Sequence, residues 1–204
     1  MTHLIFAIVL STLAAAPTTR TTEDVAASYR ASYQLEAKGD YAGALSKMTA
    51  LHAAGDNSYF ATLRTAWLRY LSGDLDAAEA GYRAAMAAKP KAVEPKVGLT
   101  LVLYVAKDWK ALEVASRAAL ADAPTDATLR ARLASAEYNL GRYADATSLY
   151  RKLVEEYPAV LDYHTGLAWS LQRMGKRKEA RNIFQAVLAV SPDNVNAQQG
   201  LRAP

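Results

Sequence analysis

Gly73-Asp74-Leu75 follows Gly39-Asp40-Tyr41 by 34 residues and precedes Lys107-Asp108-Trp109 by the same step, which Gly141-Arg142-Tyr143 and Gly175-Lys176-Arg177 continue. A second series, Pro90, Pro124, Pro158 and Pro192, keeps that spacing, with Asp56 in the equivalent place of the first unit. A third is small and apolar: Ala44, Ala78, Leu112, Ala146 and Ala180. No insertion or deletion is needed between residues 25 and 194, so the register divides into five units, 25–58, 59–92, 93–126, 127–160 and 161–194. A fixed period of this length marks one supersecondary unit stacked on copies of itself.

Each unit reads as two amphipathic helices, A over positions 1 to about 14 and B over positions 17 to about 30. Gly at position 15 lets the chain leave helix A through a left-handed conformation. Asp40, Asp74 and Asp108 stand where an N-cap for helix B belongs, and Ser58, Asp126 and Asn194 where one for the following helix A belongs. Proline near the end of the unit stops helix B because it has no N–H to donate. Pro95 falls in the first turn of its helix, where proline is tolerated.

The pattern resembles the tetratricopeptide repeat, with small residues at positions 8 and 20, Gly near 15, an aromatic near 24 and Pro at 32. Position 8 carries Ser32, Ala66, Thr100, Ala134 and Ala168; position 24 carries Met48, Tyr82, Ser116, Tyr150 and Phe184. The family's Trp at position 4 is replaced by Ser28, Thr62, Lys96, Arg130 and His164. Unit three departs furthest, with Lys107, Leu112 and Ser116 in place of Gly, Ala and an aromatic. The resemblance implies an all-α fold: a right-handed α-solenoid of five helix–turn–helix repeats. A sixth helix A starts after Asn194, so residues 195–204 are expected to form a truncated capping helix that leaves an apolar face for self-association.

Composition agrees with packed helices. Half of the chain is apolar, Gly and Pro are scarce, and no run alternates long enough to make a strand. There is no cysteine, which excludes disulfides, thiolate nucleophiles and Cys-ligated zinc. The net charge of +4 is dispersed, which argues against nucleic acid as the partner. The one basic cluster, Arg173, Lys176, Arg177, Lys178 and Arg181, offers an alternative surface for an anionic polymer.

At the N-terminus, Leu4–Leu10 is unbroken apolar sequence followed by a small-residue stretch ending at Ala16. It is too short to span a bilayer, which takes roughly 20 residues. Its length fits a cleavable export signal over 1–16, with a polar linker over 17–24. The expectation is an exported chain of the periplasm or cell envelope, without a transmembrane span once mature. If the segment is not a signal but a first hydrophobic helix, the expected place is the cytoplasm.

No catalytic constellation emerges. His3, His52 and His164 are the only histidines and fall in distant places, and the glycine-rich phosphate and dinucleotide loops and the Gly-x-Ser-x-Gly elbow are absent. The chain is read as non-enzymatic, with neither cofactor nor metal. Its chemistry lies in helix A, where positions 2, 5, 6, 9, 12 and 13 share an arc of about 120°. The resemblance places that arc on the concave side. It carries Tyr29 at position 5, Tyr33, Trp67, Leu101 and Trp169 at position 9, and Tyr70, Tyr104 and Tyr138 at position 12. Phe60 stands at position 2, and Arg64 and Arg132 at position 6. This set predicts a groove, weighted towards units one to three, for a protein or peptide segment with apolar side chains and carboxylates for the arginines. The Lys-and-Asn clamp that some family members use for a terminal carboxylate has no counterpart: its places hold Tyr29, Tyr33, Arg64, Glu94 and Gly98.

Overall fold

The computed structural model describes residues 21–203, and the expected signal over 1–16 lies outside them. Among the described residues there are eleven helices and no strand. The A helices are α1 (Thr22–Ala37), α3 (Tyr59–Leu71), α5 (Glu94–Val105), α7 (Ala127–Asn139) and α9 (Leu161–Arg173). They alternate with the B helices α2 (Tyr41–Ala53), α4 (Leu75–Ala88), α6 (Trp109–Asp122), α8 (Tyr143–Glu156) and α10 (Arg177–Val190), and α11 (Val195–Arg202) follows. Each helix packs on its neighbours in sequence, and α3, α5, α7, α9 and α11 also pack in succession on one another, which makes an all-α solenoid.

The caps form as the residue types dictate. Asp40, Asp74 and Asp108 accept from the backbone N–H three residues on, at 2.8, 3.2 and 3.0 Å. Ser58, Asp126 and Asn194 do the same for helix A. Arg142 and Lys176 cannot accept, and α8 and α10 start without a side-chain cap. At the A–B turn the residue at position 15 is left-handed in every unit: Gly39, Gly73, Gly141 and Gly175, and Lys107 with φ 58°. In unit one this closes a Schellman turn, with Gly39 N–H on the Glu36 carbonyl and Asp40 N–H on the Leu35 carbonyl. Lys107 holds the same conformation without glycine's freedom, at a cost of about 1 kcal/mol.

The first helix corrects the linker expected over 17–24: α1 begins at Thr22. Thr21 accepts from Asp24 N–H while the Asp24 carboxylate accepts from Thr21 N–H, a reciprocal capping box. Polar residues that read as linker are here the helix's own first turn.

Stacking is set at position 24 of helix B. Tyr82, Tyr150 and Phe184 lie across the backbone of the next helix A at position 6, and that position is Gly98, Gly166 and Gly200. A Cβ on Gly166 would stand 2.5 Å from the Tyr150 ring, and the other two glycines are tighter still. In these pairs position 8 of the first unit is Ala66, Ala134 or Ala168, fully buried. The other two junctions are built differently. Where position 24 is Met48 or Ser116, the next position 6 is Arg64 or Arg132, and position 8 is Ser32 or Thr100. The guanidinium fills space that a ring would take, and its buried donors require acceptors. Arg64 Nε donates to Ser32 Oγ at 3.1 Å, and Arg132 Nη1 to Thr100 Oγ1 at 2.7 Å and to the Val97 carbonyl. Three residues from three helices therefore change together at every junction.

Units three and four are also joined through Glu137, a fully buried carboxylate at a position filled by Leu103 and Leu171 in the flanking units. It accepts from Arg117 and from Arg142 at 3.1 Å, while Glu113 takes the same two arginines at 3.1 and 2.6 Å.

Two outcomes follow from these packings. Gly166→Ala gains about 1 kcal/mol of helix propensity but forces the Tyr150 ring aside, so stability falls by about 2 kcal/mol. Adding Tyr150→Leu recovers part of the loss in denaturant midpoint. Glu137→Leu leaves stability within about 1 kcal/mol of wild type or raises it, because a leucine fits the site without charge. Glu137→Ala lowers it by about 2 kcal/mol through the cavity left behind. Urea unfolding of the four variants separates the cases.

Candidate functional site

The helix-A arc lines two cavities rather than one continuous groove. The first, about 830 Å³, lies on α1 and α3 and gathers Tyr29, Tyr33, Phe60, Arg64 and Trp67 with Val25, Leu63, Glu36, Asp56 and Ser58. The second, about 660 Å³, brings Leu101, Tyr104, Arg132, Tyr138 and Trp169 together along α5, α7 and α9 and reaches α11. Tyr70 lines neither. Its ring packs on Trp67 with centroids 5.4 Å apart, and it is partly buried between the two cavities. The lining of the second cavity continues beyond the expected residues of units four and five to Asn196 and Gln199 of α11.

Exposure of the aromatic rings differs widely. Phe60 is 72% exposed, Tyr33 57% and Tyr104 43%, which leaves them open to a partner. Trp169 stands edge-on to Phe184, and Tyr138 edge-on to Tyr143, so these two rings belong partly to the core. Burial raises the Tyr138 hydroxyl above its ordinary pKa, opposed by the neighbouring Arg173. Tyr150 reaches the second cavity across Gly166, and its hydroxyl meets Ser135 Oγ at 2.8 Å. Burial pushes that hydroxyl to about 12, so it keeps its proton.

Both expected arginines line the cavities, but Arg64 departs from the expectation of a guanidinium free to take a carboxylate. Arg64 is 7% exposed, its Nη1 lies 2.7 Å from Glu36 Oε2, and its Cζ sits 3.5 Å from the Tyr33 ring centre. Arg132 is held by Thr100 and Val97. Both point back into the preceding unit, where position 24 carries no ring and the hydroxyl at position 8 accepts from the guanidinium. Polar character comes instead from residues outside the expected set: Asn139, Asp162, Asn196 and Gln199 in the second cavity, with Thr128, Ser135 and Tyr163. Most occupy the same arc in units four to six, so extending the columns to polar types finds them. Tyr150 is at a core position, and no surface periodicity reveals it.

The two described histidines are tied into the scaffold, while Lys176, Arg177, Lys178 and Arg181 of the basic cluster are exposed. His52 bonds Asn57 and Thr65, and His164 bonds the Pro158 carbonyl. In the basic turn, Arg173 stacks on Tyr143 and Glu179 pairs with Arg151. Val190 and Val195, on either side of the turn into α11, are well exposed.

Glu36 is the titratable centre of the first cavity. Burial pushes its carboxyl up, but the Trp67 indole N–H at 2.8 Å and the Arg64 guanidinium outweigh burial and hold it below the usual carboxylate range. A carboxylate depressed in the folded state contributes stability above its unfolded pKa of about 4.3, and loses that contribution as pH falls through the folded value. Thermal unfolding monitored by tryptophan fluorescence is therefore expected to show an acid-side loss below about pH 4 that Glu36→Gln lacks.

Comparison with known proteins agrees with this architecture. Profiles described as tetratricopeptide repeat match residues 110–160 and 140–203. Over 76 residues the chain is 30% identical to Protein CTR9 homolog of Arabidopsis thaliana, a stretch that is 37% of this chain and 7% of that protein. Among solved structures, the MamA fragment from Desulfovibrio magneticus RS-1 superposes with a TM-score of 0.77 at 18% identity, covering 85% of this chain and 98% of that one. A tetratricopeptide repeat protein from Parabacteroides merdae gives 0.77 at 16% identity, with 88% and 71% covered. YrrB, described as having an unusual peptide-binding site, gives 0.72 at 15% identity, with 86% and 91% covered. At these identities the structures speak for the fold alone, while the repeat profiles identify tetratricopeptide repeats over residues 110–203.

Proposed function

We propose that this chain is a non-catalytic scaffold that binds an extended peptide or protein segment along its helix-A face. Repeat architectures of this kind serve protein–protein interaction, and the observation that carries the finer reading is the pair of cavities edged by exposed rings. Phe60 and Tyr33 edge one and Tyr104 the other, so the exposed rings adjoin concave, partly apolar surface of the kind that marks interaction sites. Aromatic side chains give large contact area at low entropic cost and dominate interface energetics. The amides of Asn139, Asn196 and Gln199 supply donors and acceptors for a bound backbone. YrrB's described peptide-binding site is a parallel on the same fold.

We also propose that the protein acts after export, in the periplasm or cell envelope. The apolar run Leu4–Leu10 and its small-residue boundary support this reading. Among the described residues no helix is long and apolar enough to cross a membrane.

The test is affinity purification of the native chain from its own compartment, with N-terminal sequencing of the recovered protein. Phe60→Ser and Tyr104→Ser are expected to weaken capture of the partner by about tenfold or more while far-UV helicity is unchanged. Capture that survives both substitutions overturns the groove reading. Recovery of a chain starting at Met1 overturns export. Affinity is expected to change little with salt, whereas binding through the basic turn would fall steeply as salt rises.

A further inference from the structure

Arg64 has a donor left over. Its Nε is bonded to Ser32 and its Nη1 is paired with Glu36, but Nη2 is buried and has no hydrogen-bond partner. The side chain is more than nine-tenths buried and lines the first cavity. A buried unpaired donor is costly, and a ligand atom is one way to satisfy it. The ring of Tyr33 covers the guanidinium at 3.5 Å, yet that ring is largely in solvent, so it can swing aside.

The charge around this donor decides what it takes. Glu36 already neutralises Arg64 at 2.7 Å. A further carboxylate brought into that space finds the cation already compensated and lies beside Glu36, whereas an uncharged carbonyl oxygen meets a donor without repulsion. The walls are Val25, Tyr29, Phe60 and Leu63, which suit apolar side chains.

We infer that the first cavity recognises the backbone carbonyl of an internal, uncharged apolar peptide segment through Arg64 Nη2, with Tyr33 as the cover that opens to admit it. Glu36 is the residue that sets specificity, because it cancels the cation that would otherwise attract acidic ligands. The inference rests on the groove being a peptide site and adds the class of peptide.

The experiment selects binders to the full mature chain from two random peptide libraries, one displayed internally and one with free C-terminal carboxylates. Wild type is expected to enrich internal, apolar, acid-poor sequences. Synthesised with blocked ends, these bind wild type in a titration that Phe60→Ser weakens. Glu36→Gln leaves Arg64 uncompensated and is expected to shift the ratio of affinities for acidic over neutral peptides by about tenfold. Arg64→Lys keeps the charge but loses the fork, and is expected to weaken the neutral peptides by about tenfold. It carries the test if Glu36→Gln does not fold. Enrichment of acidic or carboxylate-terminated peptides by wild type overturns the inference while leaving the groove reading intact. So does an affinity ratio unmoved by Glu36→Gln, or neutral-peptide affinity unmoved by Arg64→Lys. Enrichment insensitive to Phe60→Ser, or no enrichment, overturns both.

Discussion

The contact between position 24 of one helix B and position 6 of the next helix A governs how every unit meets its neighbour. In a solenoid each unit touches only the units beside it, so the junction sets both cohesion and curvature. Where a ring fills the contact, it lies against helix backbone, and glycine at 98, 166 and 200 is a steric requirement. Where the ring is missing, the contact is completed by an arginine and by a hydroxyl at position 8 that accepts from it. These solutions are physically distinct. One is apolar burial with close backbone approach; the other is a buried cation whose donors are matched inside the protein.

The polar junctions shape the candidate site. Each cavity contains one of the two junction arginines, Arg64 in the first and Arg132 in the second. Arg64 is paired with Glu36, and Arg132 donates to Thr100 and the Val97 carbonyl, so each is turned towards the preceding unit. The face that remains is aromatic with amide and hydroxyl groups, suited to an extended chain whose backbone needs partners and whose side chains need apolar walls. At the glycine junction between units four and five, the Tyr150 ring lies against Gly166 and both line the second cavity.

Unit three shows how far the pattern can depart and still hold. Lys107 takes the left-handed turn that glycine takes elsewhere, because Asp108 must begin α6 with its carboxylate on Ala111 N–H. Ser116 replaces the ring, and Arg132 takes part of its place. The next contact substitutes Glu137 for a core leucine and compensates by bringing in Arg117 and Arg142. Arg142 stands where an Asp would cap α8, so the guanidinium that completes the ionic network replaces a helix cap. The divergent residues are coupled to one another across the interface between units three and four.

The sequence by itself determined the helix pairs, their left-handed turns and most of their caps, because those depend on residues within one unit: Gly73 beside Asp74, or Pro124 after α6. It misplaced the start of α1, where Thr21 and Asp24 look like linker until their side chains are seen to close on each other's N–H groups. Helical periodicity also put the aromatic columns on one face, and the cavities do gather Tyr33, Phe60 and Tyr104 there. Tertiary structure alone decided the fate of the arginines and the gathering of the helix-A face into two cavities. Position 6 is a surface place by periodicity, but at Arg64 and Arg132 the side chain turns inward to a hydroxyl at position 8 of the preceding helix A. A pattern along one helix carries no information about the space beside it, and that space is created only when two units stack.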